Sequence, residues 1–431
     1  MRKTFLFVLS LLICAVLCTA AVFAAEQTVY VKDGGKGDGT SAASPLGTLN
    51  AAVAALGGKG GTVIACGDVT INAVTTIPEQ SGDFTLTAAD GGRLLQGNRL
   101  QLGKNTNDNT FTFDLPIVMT KTYPVFIFGG FNSVHFTDKC VVTNNGANGS
   151  LHFMGGVLAA SGTANAALVT ELPYSITVDG GDFCMFSAGT YRSSVTAPVG
   201  SIAAPVTITI NGGTFGKAGS YDLTTNNKNY WDVSIADGLI LADDATLNIT
   251  GGTFNAPIFA QGRLDNVPAT ASETSALTAS DRKYYAADGD IRINITGGTF
   301  NGGLISAYYT QAGYTQMLRG SFDVTIGAGA TFAAGTVIDA TQVKAYAGSD
   351  KKATLTYPAG AGITAKRFDT VNGRAQTYEE PLRVAFIGDS ITEGYFNAVK
   401  DRLTTAYPAQ FLGLAEVDGK EIIVSNYGVS A

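Results

Sequence analysis

Ile208-Thr209-Ile210-Asn211-Gly212-Gly213-Thr214-Phe215 is the stretch on which the fold turns. Ile208 and Ile210 alternate with Thr209 and Asn211, the two-residue period of a strand with one buried face. The Gly pair marks a tight corner, after which Thr214-Phe215 resumes extended chain ending in a large apolar ring. The phrase recurs as Ile176-Thr177-Val178-Asp179-Gly180-Gly181-Asp182-Phe183, as Leu247-Asn248-Ile249-Thr250-Gly251-Gly252-Thr253-Phe254 and as Ile293-Asn294-Ile295-Thr296-Gly297-Gly298-Thr299-Phe300. Phe322-Asp323-Val324-Thr325-Ile326-Gly327 is a worn fifth copy.

The first Gly of each pair falls at 180, 212, 251 and 297, so the intervals run 32, 39 and 46 residues. A propeller or helical solenoid holds its period more strictly. A parallel β-helix absorbs insertions as loops at a corner while its strands keep register. The expected fold is mainly β, a parallel β-helix (solenoid) with Val178, Ile210, Ile249 and Ile295 lining its interior in register.

Val29-Tyr30-Val31 reads as the first strand, followed by the loop Lys32 to Thr40. Ser44 and Pro45 suit an N-cap and first helical position, and Leu46, Leu49, Val53 and Leu56 follow at helical spacing until Gly57-Gly58. Gly61-Thr62-Val63-Ile64-Ala65 returns to strand. A one-faced helix here would cover the open apolar end of the first coil. This order resembles the N-terminus of pectin-lyase-like right-handed parallel β-helix proteins, over residues 27–345. The resemblance implies a fold, and with it a sheet groove of the kind in which such proteins often grip glycans.

The chain has 431 residues, 15% of them charged, and a net charge of -7, which argues against nucleic acid as a partner. Arg2 and Lys3 precede an uncharged apolar run that closes on Val22-Phe23-Ala24, the layout of a secretory signal over 1–24. The alternative is an uncleaved anchor. With the signal removed, no later segment is long and apolar enough to span a membrane, and the expected location is secreted or at the cell surface. Cys66, Cys140 and Cys184 remain, at spacings that fit neither zinc nor a disulfide framework and read as buried free thiols.

Beyond Gly373 the composition changes. Arg383-Val384-Ala385-Phe386-Ile387-Gly388-Asp389-Ser390-Ile391-Thr392-Glu393-Gly394 is an apolar strand running into Gly-Asp-Ser and a turn, which lifts a serine hydroxyl above the sheet. Tyr407-Pro408 opens a helix through Leu414, and Glu421 to Asn426 is a second strand. The set resembles the start of the SGNH, or GDSL, family of serine esterases. The resemblance implies that Ser390 is the nucleophile attacking an ester carbonyl, its own N–H serving the oxyanion hole. Asn426-Tyr427-Gly428-Val429-Ser430-Ala431 is similar to the second family block, but the oxyanion glycine falls at Ala431 and Gly428 comes three positions early. The family's Asp-x-x-His has no counterpart in the residues that follow Ser390, so the chain is expected to be inactive alone.

The expected organisation is a signal at 1–24, a parallel β-helix at 25–345, its end and a linker at 346–381, and a truncated SGNH-like α/β segment at 382–431. The expected substrate is an acyl ester, such as an acetylated polysaccharide; the rival reading is a non-catalytic adhesion module that binds glycan. No cofactor or metal pattern stands out. Acidic pairs such as Asp179/Asp182, Asp243/Asp244 and Asp288/Asp290 offer oxygen ligands of the kind Ca²⁺ takes. Tyr191, Tyr221, Tyr230, Trp231, Tyr284, Tyr285, Tyr308, Tyr309 and Tyr314 lie between copies, where rings either stack on sugars or pin loops. His135 and His152, the only histidines, read as structural, as do the Asn-x-Thr matches at Asn248 and Asn294.

Overall fold

In the computed structural model the described residues are 27–104, 106–144, 150–156, 169–170, 172–189, 201–202, 204–216, 233–236, 240–241, 244–261, 286–287, 289–308, 317–341, 343, 349–377, 382–386, 395–396, 399–400 and 422–426. The chain divides into two compact units, Met1–Arg374 and Ala375–Ala431.

The first unit consists of short parallel strands in stacked sheets, consistent with the expected β-helix. Its first sheet starts at Thr28–Val31 and Gly61–Ala65. It continues through Tyr174–Val178, Val206–Ile210, Ala245–Ile249, Ile291–Phe300 and Phe322–Phe332 to Ala353–Thr356. The second sheet takes one strand from nearly every coil, from Thr75–Ile77 through Pro124–Phe128, Ser150–Met154 and Leu304–Tyr308 to Ile363–Lys366. A third sheet of four strands, from Asp68–Ile71 to Val142–Thr143, serves the early coils.

The expected interior register is observed. Val178 pairs with Ile210, Ile210 with Ile249, Ile249 with Ile295 and Ile295 with Ile326. All five are at most 4% exposed. Alternation drives this: in Val206–Ile210 the apolar positions are buried and the threonines between them face outward. The rings at the ends of the copies also stack. Phe183 and Phe215 lie 5.9 Å apart, Phe215 and Phe254 4.9 Å, Phe254 and Phe300 4.9 Å, and Phe300 and Phe332 4.8 Å. Each burial contributes roughly 2–3 kcal/mol, and each stacked pair adds on the order of 1 kcal/mol.

The Gly pair has two separate causes. A Cβ on Gly212 would lie 2.3 Å from the Asp179 carbonyl oxygen of the preceding coil, so backbone approach excludes a side chain there. Gly213 has φ +93°, a region that L residues rarely enter. In the fifth copy, Gly297 faces Gly329 across a register shift of one residue, and Ala330 stands opposite Gly298.

The N-terminal helix is Leu49–Ala55, shorter than the spacing from Leu46 predicts. Its cap is Thr48, whose hydroxyl accepts from the Ala51 N–H at 3.2 Å, and not Ser44. Ser44 instead accepts from the Asp38 N–H within the glycine-rich loop, and Leu46 is extended, bridging to Val31. Gly57 ends the helix at φ +62°, as expected. Leu49, Ala52 and Val53 are buried, and the helix packs on Thr28–Val31 and Thr75–Ile77 at the start of the stack.

Candidate functional site

In the C-terminal unit, Leu382–Phe386 and Ile422–Asn426 pair in parallel, with Val384 opposite Val424. Tyr395–Phe396 and Val399–Lys400 form a small antiparallel pair. Ser390 follows the first of the parallel strands by four residues in sequence, and Gly428 follows the second by two. Both residues lie outside the described residues, as does the expected helix from Tyr407.

The first unit brings together a polar cluster that the sequence does not announce. His135 sits in Ser133–Phe136, where Val134 and Phe136 point inward and the imidazole points out, half-buried, between Thr112 and Thr177 in register. Its Nε2 lies 2.7 Å from Oδ2 of Asp179. Asp179, Asn211, Thr250 and Thr296 each precede the first Gly of a copy. Asn211 Nδ2 donates to Asp179 Oδ1 at 2.8 Å, and Thr250 Oγ1 donates to Asn211 Oδ1 at 2.7 Å. Burial works to raise the Asp179 pKa, but the hydrogen bonds from Asn211 and His135 outweigh it and hold the carboxyl below its ordinary value. One coil before His135, Asp114 accepts from Thr87 and Thr137, each at 2.7 Å, and from Lys139 Nζ at 2.8 Å. Burial likewise works against its charge, and these donors still lower its pKa.

An imidazole held by a carboxylate serves proton transfer only where a reacting group reaches its other nitrogen. The neighbours in register are threonines, and the hydrogen bonds run from coil to coil. The arrangement is a corner clamp tying His135, Asp179, Asn211 and Thr250 across successive turns. Aligning the copies would have revealed the Asp-Asn-Thr column; the His135 pairing, 44 residues from Asp179, has no local signal.

His152 is fully buried, edge-on to Phe126 at 4.9 Å, and burial pushes its pKa down to about 3, so its role is structural. Tyr308 corrects the reading of the aromatic residues: it ends the strand Leu304–Tyr308 at 1% exposure and offers no sugar platform. The remaining tyrosines of that group and Trp231 lie outside the described residues. The acidic pairs are occupied with coil-to-coil contacts. Asp244 Oδ1 accepts from the Asp290 N–H, and Asp290 accepts from the Ser321 N–H and from Lys351 Nζ. Asp243 and Asp288 lie outside the described residues. Among the described residues, no three His, Cys, Asp or Glu side chains group as a metal site. Cys140 and Cys184 are buried and in no disulfide, Cys66 is half-buried, and burial together with Asp114 pushes the Cys140 thiol up to about 12. Asn294 Nδ2 donates to Asn248 Oδ1 at 3.0 Å, which ties both glycosylation matches into the sheet. Among the described residues, no helix is long and apolar enough to cross a membrane.

No protein-family model, no curated protein and no solved structure matches this chain.

Proposed function

We propose that this is an exported protein whose body, a right-handed β-helix of the pectin-lyase-like kind, carries the opening of an SGNH-type serine acylhydrolase. The observation that carries the reading is the in-register parallel pairing of Leu382–Phe386 with Ile422–Asn426. Parallel neighbours need a crossover of a dozen residues or more, and 35 residues separate these strands. In this reading the pair is the β-crossover-β opening of an α/β sheet, and the Gly-Asp-Ser motif follows its first strand in sequence.

In this reading Ser390 Oγ adds to the acyl carbonyl, and the alcohol leaves as the acyl-serine forms. Water then releases the acid and regenerates the hydroxyl. Each half needs a base, and residues 391–431 contain no histidine to supply one. The substrate class is an acyl ester, with acetylated polysaccharide first. The test is acetate release from acetylated xylan by the full-length gene product. Release that is lost in Ser390→Ala supports the reading. Release unchanged in Ser390→Ala overturns it.

One observation favours the second reading, a non-catalytic glycan-binding surface protein. Thr85, Thr112, His135, Thr177, Thr209 and Asn248 form one file in register along the outer side of the first sheet. Their repeat, one strand spacing of about 4.8 Å, suits an extended polymer.

A further inference from the structure

The phenylalanine ladder ends before the stack of coils does. Phe332 takes Phe300 on one face at 4.8 Å, and among the described residues no ring stacks on its other face. The next coil is nevertheless present: Phe322, Asp323, Val324 and Thr325 pair with Ala353, Thr354, Leu355 and Thr356. Past Thr356 that coil lacks the Gly-Gly-Thr-Phe unit. It runs instead through Tyr357-Pro358-Ala359-Gly360-Ala361-Gly362 to the second-sheet strand Ile363–Lys366. Beside Phe332, at the rung where a sixth ring would follow, is a cavity of about 490 Å³ open on one side. Its walls include Gly327, Ala330, Thr331, Phe332, Pro358 and Ala361.

We propose that this cavity is a subsite for one neutral pyranose ring of a glycan, stacked on the face of Phe332 turned away from Phe300. The volume falls within the range of small-ligand sites. None of the lining residues carries an ionisable side chain, so neither an anionic nor a cationic ligand finds a counter-charge. The polar groups of the lining are the Thr331 hydroxyl and the backbone N–H and C=O groups of its Gly and Ala residues. A ligand with a flat apolar face and a neutral hydroxylated edge uses both features, and a sugar ring has that shape. The spacing already set by the ladder, 4.8 to 4.9 Å between its last rings, is a stacking distance. The inference deepens the glycan-binding reading of the body and is independent of Ser390.

Isothermal titration of the full chain with xylohexaose, cellohexaose and mannohexaose, with hexagalacturonate as the charged control, tests it. At least one neutral hexaose should bind one to one, and hexagalacturonate should not. Phe332→Ala should weaken that binding at least fivefold, and Phe332→Trp should retain it. Ala361→Phe, which fills the cavity from its rim and leaves the ladder intact, should abolish it. Neutral binding that survives both Phe332→Ala and Ala361→Phe overturns the subsite while leaving glycan binding elsewhere on the body standing. No binding of any hexaose overturns both. A change of oligomeric state in Phe332→Ala, with no sugar bound, would mean that protein fills the cavity and also overturns the proposal.

Discussion

Phe254 and Phe300 are 46 residues apart in sequence, yet their rings lie 4.9 Å apart with planes 3° from parallel. The same two residues are direct partners in the sheet. A spacing that varies from copy to copy in the chain is therefore constant in space, because the insertions fall between strands and not within them.

Phe254→Ala should open a cavity in the middle of the ladder, against Phe215 on one side and Phe300 on the other. The expected loss is about 3–5 kcal/mol, read as a lower urea midpoint. Phe254→Leu should recover part of it.

Gly212→Ala should destabilise the body although alanine is the better strand or helix former. Its Cβ would press on the Asp179 carbonyl oxygen at 2.3 Å, and that oxygen belongs to backbone that cannot swing aside. A cost of roughly 1–3 kcal/mol is expected from the forced separation of the two coils, measured by thermal unfolding.

Stability should fall with acid well before the carboxylates titrate. His152 is neutral in the fold, with its pKa pushed down from 6.5 to about 3 by burial. The unfolded chain takes up the proton below about pH 6.5 and the folded one does not. The contribution is complete above pH 6.5 and is lost progressively as pH falls toward 3, on the order of 4–5 kcal/mol in all. Asp114, Asp179 and Asp290 have lowered values and add their share only below about 3.8. Urea midpoints at pH 7, 5.5 and 4.5 should therefore decline in the wild type and flatten in His152→Leu.

Limited proteolysis should cut between the two units. Residues 372–377 are exposed without a break. Strands Leu382–Phe386 and Ile422–Asn426 form a two-stranded sheet, which is marginal by itself. A resistant body ending near Arg374 is expected; equal resistance across residues 375–431 would contradict it.

The interior of the body was legible because alternation and the Gly pair are local signals, and Val178, Ile210, Ile249 and Ile295 stand where the copies place them. The N-cap was misread because Ser44-Pro45 satisfies the same local preferences as a helix start, while Leu46 is drawn into pairing with Val31. Tyr308 was misread because its neighbours look like loop, and only the second-sheet pairing with Gln261 places it on a strand. The His135–Asp179 contact was not legible, since it depends on which coils are adjacent. Ser390 and Gly428 are legible from their motifs, each of which follows one of the two paired strands in sequence.

The central claim is that the copies stack in parallel and in register, and a cross-link tests it most directly. In a Cys66→Ala background, Thr209→Cys with Asn248→Cys joins two outward positions that are direct partners in the sheet. Neighbouring parallel strands bring such Cα atoms to about 4.8 Å, within reach of a disulfide. Mild oxidation should close the bond, seen as a two-proton mass loss and a mobility shift reversed by reductant. Thr207→Cys with Asn248→Cys would be partners only if the two strands ran antiparallel, and should not close. The opposite result, closure of the second pair and not the first, would contradict the account.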